Sequence, residues 1–231
     1  VDFIEGVEGQ GRMKYDGAAF GPDGCIYCPP RDGDRVLVIE PATRRLSYIH
    51  GVEAGGAKKW MGVALGPDGR LYCAPLSSSR VLVIDPLTRT LSFIDCAEKG
   101  DNQYGSVALG SDGCLYCPPA GGSAILVIEP RTQSVNFIPL AGRSHYTGVA
   151  LGPDGQLYCA PQKGSRLLVI NPRTRALTFL GSAGDAQYHN EGIALGSDGC
   201  LYCGPMLRKT SLVLTGSTTE ALAICSRSLA G

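Results

Sequence analysis

Gly62-Val-Ala-Leu-Gly-Pro-Asp-Gly-Arg-Leu-Tyr-Cys73 decides how this chain folds, because the chain spells it five times. The copies begin at Gly17, Gly62, Gly105, Gly148 and Gly192, the third reading Gly105-Ser-Val-Ala-Leu-Gly-Ser-Asp-Gly-Cys-Leu-Tyr-Cys117. The glycine ahead of each Pro/Ser-Asp-Gly turn falls at Gly21, Gly66, Gly110, Gly152 and Gly196, at intervals of 45, 44, 42 and 44 residues. A period of that length, filled with strands, means repeated units that bury their faces against one another.

Working outward from the second copy, Gly62–Gly66 reads as a strand with large side chains (Val63, Leu65) on one face and small ones on the other. Pro67-Asp68-Gly69 turns the chain: proline presets φ, aspartate bonds its own backbone, and glycine accepts positive φ. Arg70–Ala74 is the second strand. Arg80–Asp85, apolar on both faces, is the third, and Thr90–Ile94 alternates like a strand with one wet face. Four antiparallel strands per repeat, five times, predict an all-β, five-bladed β-propeller. One domain over residues 1–231 is expected, with blade cores starting near residues 17, 62, 105, 148 and 192.

The two ends carry further expectations. Val1–Tyr15 matches Leu46–Trp60, so the chain opens on a fourth strand without a blade of its own. Residues 1–5 are therefore expected to complete the last blade beside Ser211–Leu214 and to close the ring, removing open sheet edges. In the alternative, Ala221–Ile224 is the last blade's outer strand and Val1–Ile4 belongs to a further blade. Ser217 with Glu220 ahead of an apolar stretch is a capping-box pattern, which predicts a short helix at about 218–228.

Lys+Arg and Asp+Glu number 21 each, a balance that argues against nucleic acid as a partner. The longest apolar runs are strand-sized, so no membrane insertion is expected. Five of the ten cysteines (Cys28, Cys73, Cys117, Cys159, Cys203) hold one repeat position. Three more, Cys25, Cys114 and Cys200, make Cys-x-Tyr-Cys. On a strand, residues i and i+3 point to opposite faces, so the pair cannot share a zinc ion, and buried reduced thiols are expected with no metal and no cofactor. Abundant unpaired thiols lean towards a reducing compartment.

The repeat Gly-Val-Ala-Leu-Gly-Pro-Asp-Gly-x-Leu-Tyr-Cys-Ala-Pro followed by Val-Leu-Val-Ile-Asp-Pro-x-Thr-Arg resembles the YVTN-type propeller repeat. It is similar, less closely, to the NHL and streptogramin-lyase-like propellers. It departs from the YVTN pattern in carrying Cys where Val is usual after the Tyr. The resemblance implies a blade fold and often a binding or scaffolding role, and it brings no catalytic residue with it.

Loops leading into the innermost strands of a propeller line the channel mouth. Tyr15, Trp60, Tyr104 and Tyr146 stand there, with Asn190 and an inserted Tyr188-His189 in the fifth copy. Lys14, Lys59, Gln103, His145 and Glu191 lie beside them. An aromatic rim with His189 and these polar neighbours could hold a small ligand, a carbohydrate or a protein segment. The competing reading makes each aromatic a spacer between blades. The expected function is non-enzymatic binding or scaffolding at the mouth, with two alternatives: lectin-like sugar binding, or a lyase or hydrolase using His189 and Glu191. The near-identical blades also allow a place in a larger assembly. At the other end, the turn arginines Arg44, Arg45, Arg89, Arg131, Arg173 and Arg175 read as solvated charges partly neutralised by Glu40, Asp85 and Glu129.

Overall fold

A computed structural model describes residues 13–52, 58–96, 103–162, 166–180, 190–205, 212–215 and 223–224, together with Asp2, Ile4 and Gly6. These form five four-stranded antiparallel sheets in simple up-and-down order. The first holds β1 (Ala19–Phe20), β2 (Ile26–Cys28), β3 (Val36–Glu40) and β4 (Arg45–Ile49). The second holds β5 (Trp60–Leu65), β6 (Leu71–Pro75), β7 (Arg80–Asp85) and β8 (Thr90–Asp95). In the third are β9 (Ala108–Leu109), β10 (Leu115–Cys117), β11 (Ala124–Glu129) and β12 (Ser134–Pro139). In the fourth are β13 (Tyr146–Leu151), β14 (Leu157–Pro161), β15 (Leu167–Ile170) and β16 (Leu177–Leu180). The fifth has β17 (Asn190–Leu195), β18 (Leu201–Pro205), β19 (Leu212–Thr215) and β20 (Ala223–Ile224). The chain is a five-bladed β-propeller, as the repeat predicts.

At each of the four junctions a blade buries one face against the next blade along the chain. Tyr27, Val36 and Val38 of the first blade pack with Leu71, Cys73, Leu82 and Ile84 of the second. Tyr72, Val81 and Val83 meet Leu115, Cys117, Leu126 and Ile128, and the pattern recurs at the next two junctions. This explains why the third strands are apolar on both sides: Leu82 and Val83 belong to different interfaces. Near the hub the inner strands nearly touch. A Cβ built on Gly17 would lie 3.1 Å from Gly62 Cα, and one on Gly148 would lie 2.8 Å from Gly192 Cα. Only a missing side chain permits that approach.

The β1–β2 type of turn is a small machine repeated five times. Gly24, Gly69, Gly113, Gly155 and Gly199 take φ of 77–84°, as the fourth residue of the turn demands. The turn aspartates Asp23, Asp68, Asp112, Asp154 and Asp198 accept a backbone N–H two residues on through Oδ1. Through Oδ2 they accept the hydroxyls of Tyr27, Tyr72, Tyr116, Tyr158 and Tyr202 at 2.7–2.8 Å. Burial pushes the Asp23 and Asp154 carboxyls up, but these hydrogen bonds outweigh it and leave both below the ordinary aspartate value. The same tyrosines reach the following blade: the Tyr27 hydroxyl lies 3.5 Å from Pro86 O and the Tyr116 hydroxyl 3.1 Å from Pro172 O, while Tyr72, whose proton goes to Asp68, accepts from Gln133 Nε2 at 2.6 Å.

Two expectations about the ends are corrected. The outer strand of the fifth blade is β20, whose Ala223 and Ile224 pair with Thr215 and Leu214 of β19. The outer strand observed is thus the one the alternative named at Ala221–Ile224; Val1, Phe3 and Glu5 lie outside the described residues. The described N-terminal residues instead meet the first blade: Arg44 Nη1 lies 3.4 Å from Asp2 Oδ2, and the Tyr48 hydroxyl donates to Gly6 O at 3.1 Å. The apolar Ala223 and Ile224 pair along β19, so strand replaces the predicted helix at 218–228 at these two residues; its other residues lie outside the described ones. Among the described residues there is no helix.

The glycine that opens each turn has a steric reason: a Cβ on Gly110 would sit 2.8 Å from Tyr116 Cε2 and 2.9 Å from Asp112 Oδ1. Gly110→Ala should break that tyrosine–aspartate contact and cost about 1–3 kcal/mol in urea unfolding, as overpacking does. An unchanged midpoint would contradict this.

Candidate functional site

At the end of the blades away from these turns, the loops after the second strands meet the chain entering the inner strands. Backbone bonds tie neighbouring blades there: Lys59 N–H donates to Arg31 O at 2.8 Å, Gln103 N–H to Leu76 O at 2.7 Å, and Tyr146 N–H to Pro119 O at 2.9 Å. The bonds hold open a cavity of about 410 Å³. Two repeat positions face it. The residue after the second-strand proline gives Arg31, Leu76, Ala120 and Gln162, and the residue after the mouth aromatic gives Met61, Gly105 and Thr147. Arg143, His145 and Tyr146 complete the wall.

The wall is asymmetric. Blades two and three contribute apolar or small groups (Met61, Leu76, Gly105, Ala120), whereas blades one and four contribute Arg31, Arg143, His145, Thr147 and Gln162. Arg31 is largely buried and pairs through Nη1 with Asp16 Oδ2 at 3.2 Å, while its Nε is buried without a hydrogen-bond partner. Arg143 is exposed. His145 Nδ1 donates to Ala120 O at 2.8 Å, since a carbonyl can only accept, and so carries the proton. No acidic side chain lines the cavity among the described residues.

The expected aromatic rim takes a different place. Trp60 and Tyr146 are fully buried and Tyr104 nearly so. They sit in the interfaces between blades, Trp60 against Phe93 with its Nε1–H donated to Arg80 O at 2.8 Å. Tyr15 is half-buried beside Pro30, and burial pushes its hydroxyl up to about 12. Of these four rings, Tyr146 borders the cavity. Of their polar companions His145 reaches it, while Lys59 is buried with Nζ donating to Gly33 O. His189 and the Glu191 side chain lie outside the described residues.

Sequence reasoning missed Arg31, Arg143 and Gln162. Arg31 and Gln162 did leave a trace: they occupy the one position that reads Arg, Leu, Ala, Gln and Met beside an unvarying proline. Neither the turn nor the core dictates that residue. Arg143 belongs to a loop outside the repeat and left no trace.

The cysteines are free thiols among the described residues, and no group of side chains there could hold a metal ion. Cys25 and Cys28 face opposite ways, as a strand requires: Cys25 lies in the cluster shared with the second blade, and Cys28 points away from it. Burial alone pushes the Cys73 and Cys159 thiols far up, and it raises Cys203 to about 12. At the other end, turn residues bridge blades: Arg89 pairs with Glu40 at 3.2 Å and Arg175 with Glu129 at 2.9 Å. The turn arginines thus knit the blade junctions as well as carrying solvated charge.

No family model matches the chain, and no curated protein does. Solved structures do. Virginiamycin B lyase from Staphylococcus aureus is similar with a TM-score of 0.75 at 16% identity, over 86% of this chain and 66% of that one. A catalytically inactive histidine-to-alanine variant of that lyase with quinupristin gives 0.77 at 17%, over 88% and 67%. An auxiliary nutrient binding protein from Bacteroides ovatus gives 0.63 at 15%, over 83% and 56%. The chain spans about two thirds of the lyase's length. At these identities the likeness establishes the propeller fold.

The thiols give a direct check on the packing. Iodoacetamide at pH 8, read by mass spectrometry, should leave Cys73, Cys117 and Cys159 unmodified in the native chain. It should label Cys114 and Cys200, which are half-exposed, first among the described cysteines, and label all of them in concentrated guanidinium chloride. Labelling of Cys73 at the rate of a free thiol would contradict the packing.

Proposed function

We propose that the chain is a non-catalytic binding propeller whose mouth cavity takes a small ligand with an anionic group on an apolar body. The observation that carries this reading is the split wall. Arg31 and Arg143, with His145 between blades, supply donors on one side, while Met61, Leu76 and Ala120 offer apolar contact on the other. Guanidinium groups suit carboxylates because they give paired, charge-assisted hydrogen bonds. A cavity of about 410 Å³ matches the volume of small-molecule sites. The resemblance of the repeat to YVTN-type blades and the likeness to a nutrient binding protein support a binding role. Buried Trp60 and Tyr104 leave little aromatic surface for stacking a sugar, which favours the anion over the lectin reading.

Isothermal titration with 4-hydroxyphenylacetate and with its neutral amide separates charge from shape. The carboxylate should bind at least about tenfold more tightly than the amide, consistent with one charge-assisted bond. Arg143→Ala, a change at an exposed residue, should remove most of that difference. Equal binding of the two, binding of glucose in their place, or turnover of quinupristin would overturn the reading.

A further inference from the structure

The outermost blades each present one face that the other blades bury. On the face turned towards the following blade, Tyr27, Tyr72 and Tyr116 are 0% exposed and Tyr158 is 7%, but Tyr202 is 41%. Ala194 and Gly204 beside it are exposed, whereas Ala74 and Ala160, which match Gly204, are fully buried. At the hub, Gly17 and Gly148 abut the next inner strand, yet a Cβ on Gly192 would meet nothing within 4 Å. The first blade shows the complementary deficit on the face turned towards a preceding blade. Ile26 and Ile39 are half-exposed where Leu71, Leu115 and Leu157, and Ile84, Ile128 and Ile170, are fully buried. Phe20 is 62% exposed. Arg44, at the turn position from which Arg89 and Arg175 reach the blade before, has a side chain 70% exposed.

We infer that these two faces are docking surfaces for further blades of this same repeat, supplied by one polypeptide of about two repeats that spans both at once. The interface needed is already built four times within the chain, so its chemistry is known. A following blade must bring a Leu-Tyr-Cys second strand against Tyr202 and Ala194, and a preceding blade a tyrosine and small residues against Ile26 and Ile39. The number follows from the similar lyase, in which the matched part is 67% of the chain and leaves room for about two repeats of this period. Exposed apolar groups such as Phe20, Leu195 and Tyr202 gain by being covered, which gives the docking its drive.

The test extends the full chain after Gly231 with a second copy of residues 58–145, two complete blades. The extended chain should sediment as a monomer and melt at least about 5 °C higher than the unextended one. Ala194→Asp, an exposed position paired with Tyr202 on the same face, should abolish most of that gain while shifting the unextended chain by less than about 2 °C. A parallel extension with residues 102–180 guards against one appended copy failing to fold. If neither extension raises the melting temperature, the inference is overturned. It is equally overturned if the unextended chain forms a stable dimer that Ala194→Asp or Ile26→Asp dissociates, because the occupant would then be a second copy.

Discussion

One contact sets the geometry of this propeller: the hydroxyl of the second-strand tyrosine, held between the aspartate of its own turn and the third-to-fourth strand turn of the next blade. The aspartate fixes the hydroxyl, and the hydroxyl fixes the neighbouring turn, as with Tyr72, which donates to Asp68 Oδ2 and accepts from Gln133 Nε2. At the first three junctions the hydroxyl meets the next blade at one end, and at all four a slab of apolar side chains packs along the blade. The link must be satisfied because it is buried, and a buried hydroxyl without partners would destabilise the blade junction. The turn glycine, the aspartate, the αL glycine and the tyrosine are the minimum set that builds it, which is why those four recur together.

Because one end is locked by repetition, variation collects at the other. Two repeat positions face the mouth in blades two to four, and one of them in the first blade, and nothing in the core dictates what occupies them. Their side chains are therefore free to differ, and they do, from Arg31 and Gln162 to Ala120 and Gly105. The backbone bonds from Lys59, Gln103 and Tyr146 to the preceding blade keep the positions in place without consuming the side chains. A ligand site of this design gains rigidity from the scaffold and specificity from residues the scaffold ignores.

Most of the fold could be read from the sequence because each strand carries its own periodicity and each turn its own chemistry. The apolar run Val81–Ile84 could only be a strand covered on both sides, and Pro67-Asp68-Gly69 could only turn. The ends resisted reading for a physical reason: Val1–Ile4 and Ala221–Ile224 are both acceptable outer strands, and choosing between them needs the register of β19 with β20. At the mouth, the recurring aromatics Trp60, Tyr104 and Tyr146 are buried between blades. They fill three blade junctions, whereas ligand-facing positions need not repeat at all.

The tie between blades is most directly tested by a double-mutant cycle on Tyr72 and Gln133, whose side chains meet at 2.6 Å across the second and third blades. Urea unfolding of Tyr72→Phe, Gln133→Ala and the pair should reveal a coupling of about 0.5–1.5 kcal/mol, the worth of one hydrogen bond. Additivity within about 0.3 kcal/mol would mean that the hydroxyl does not join the blades, and the account of how they are positioned would be wrong.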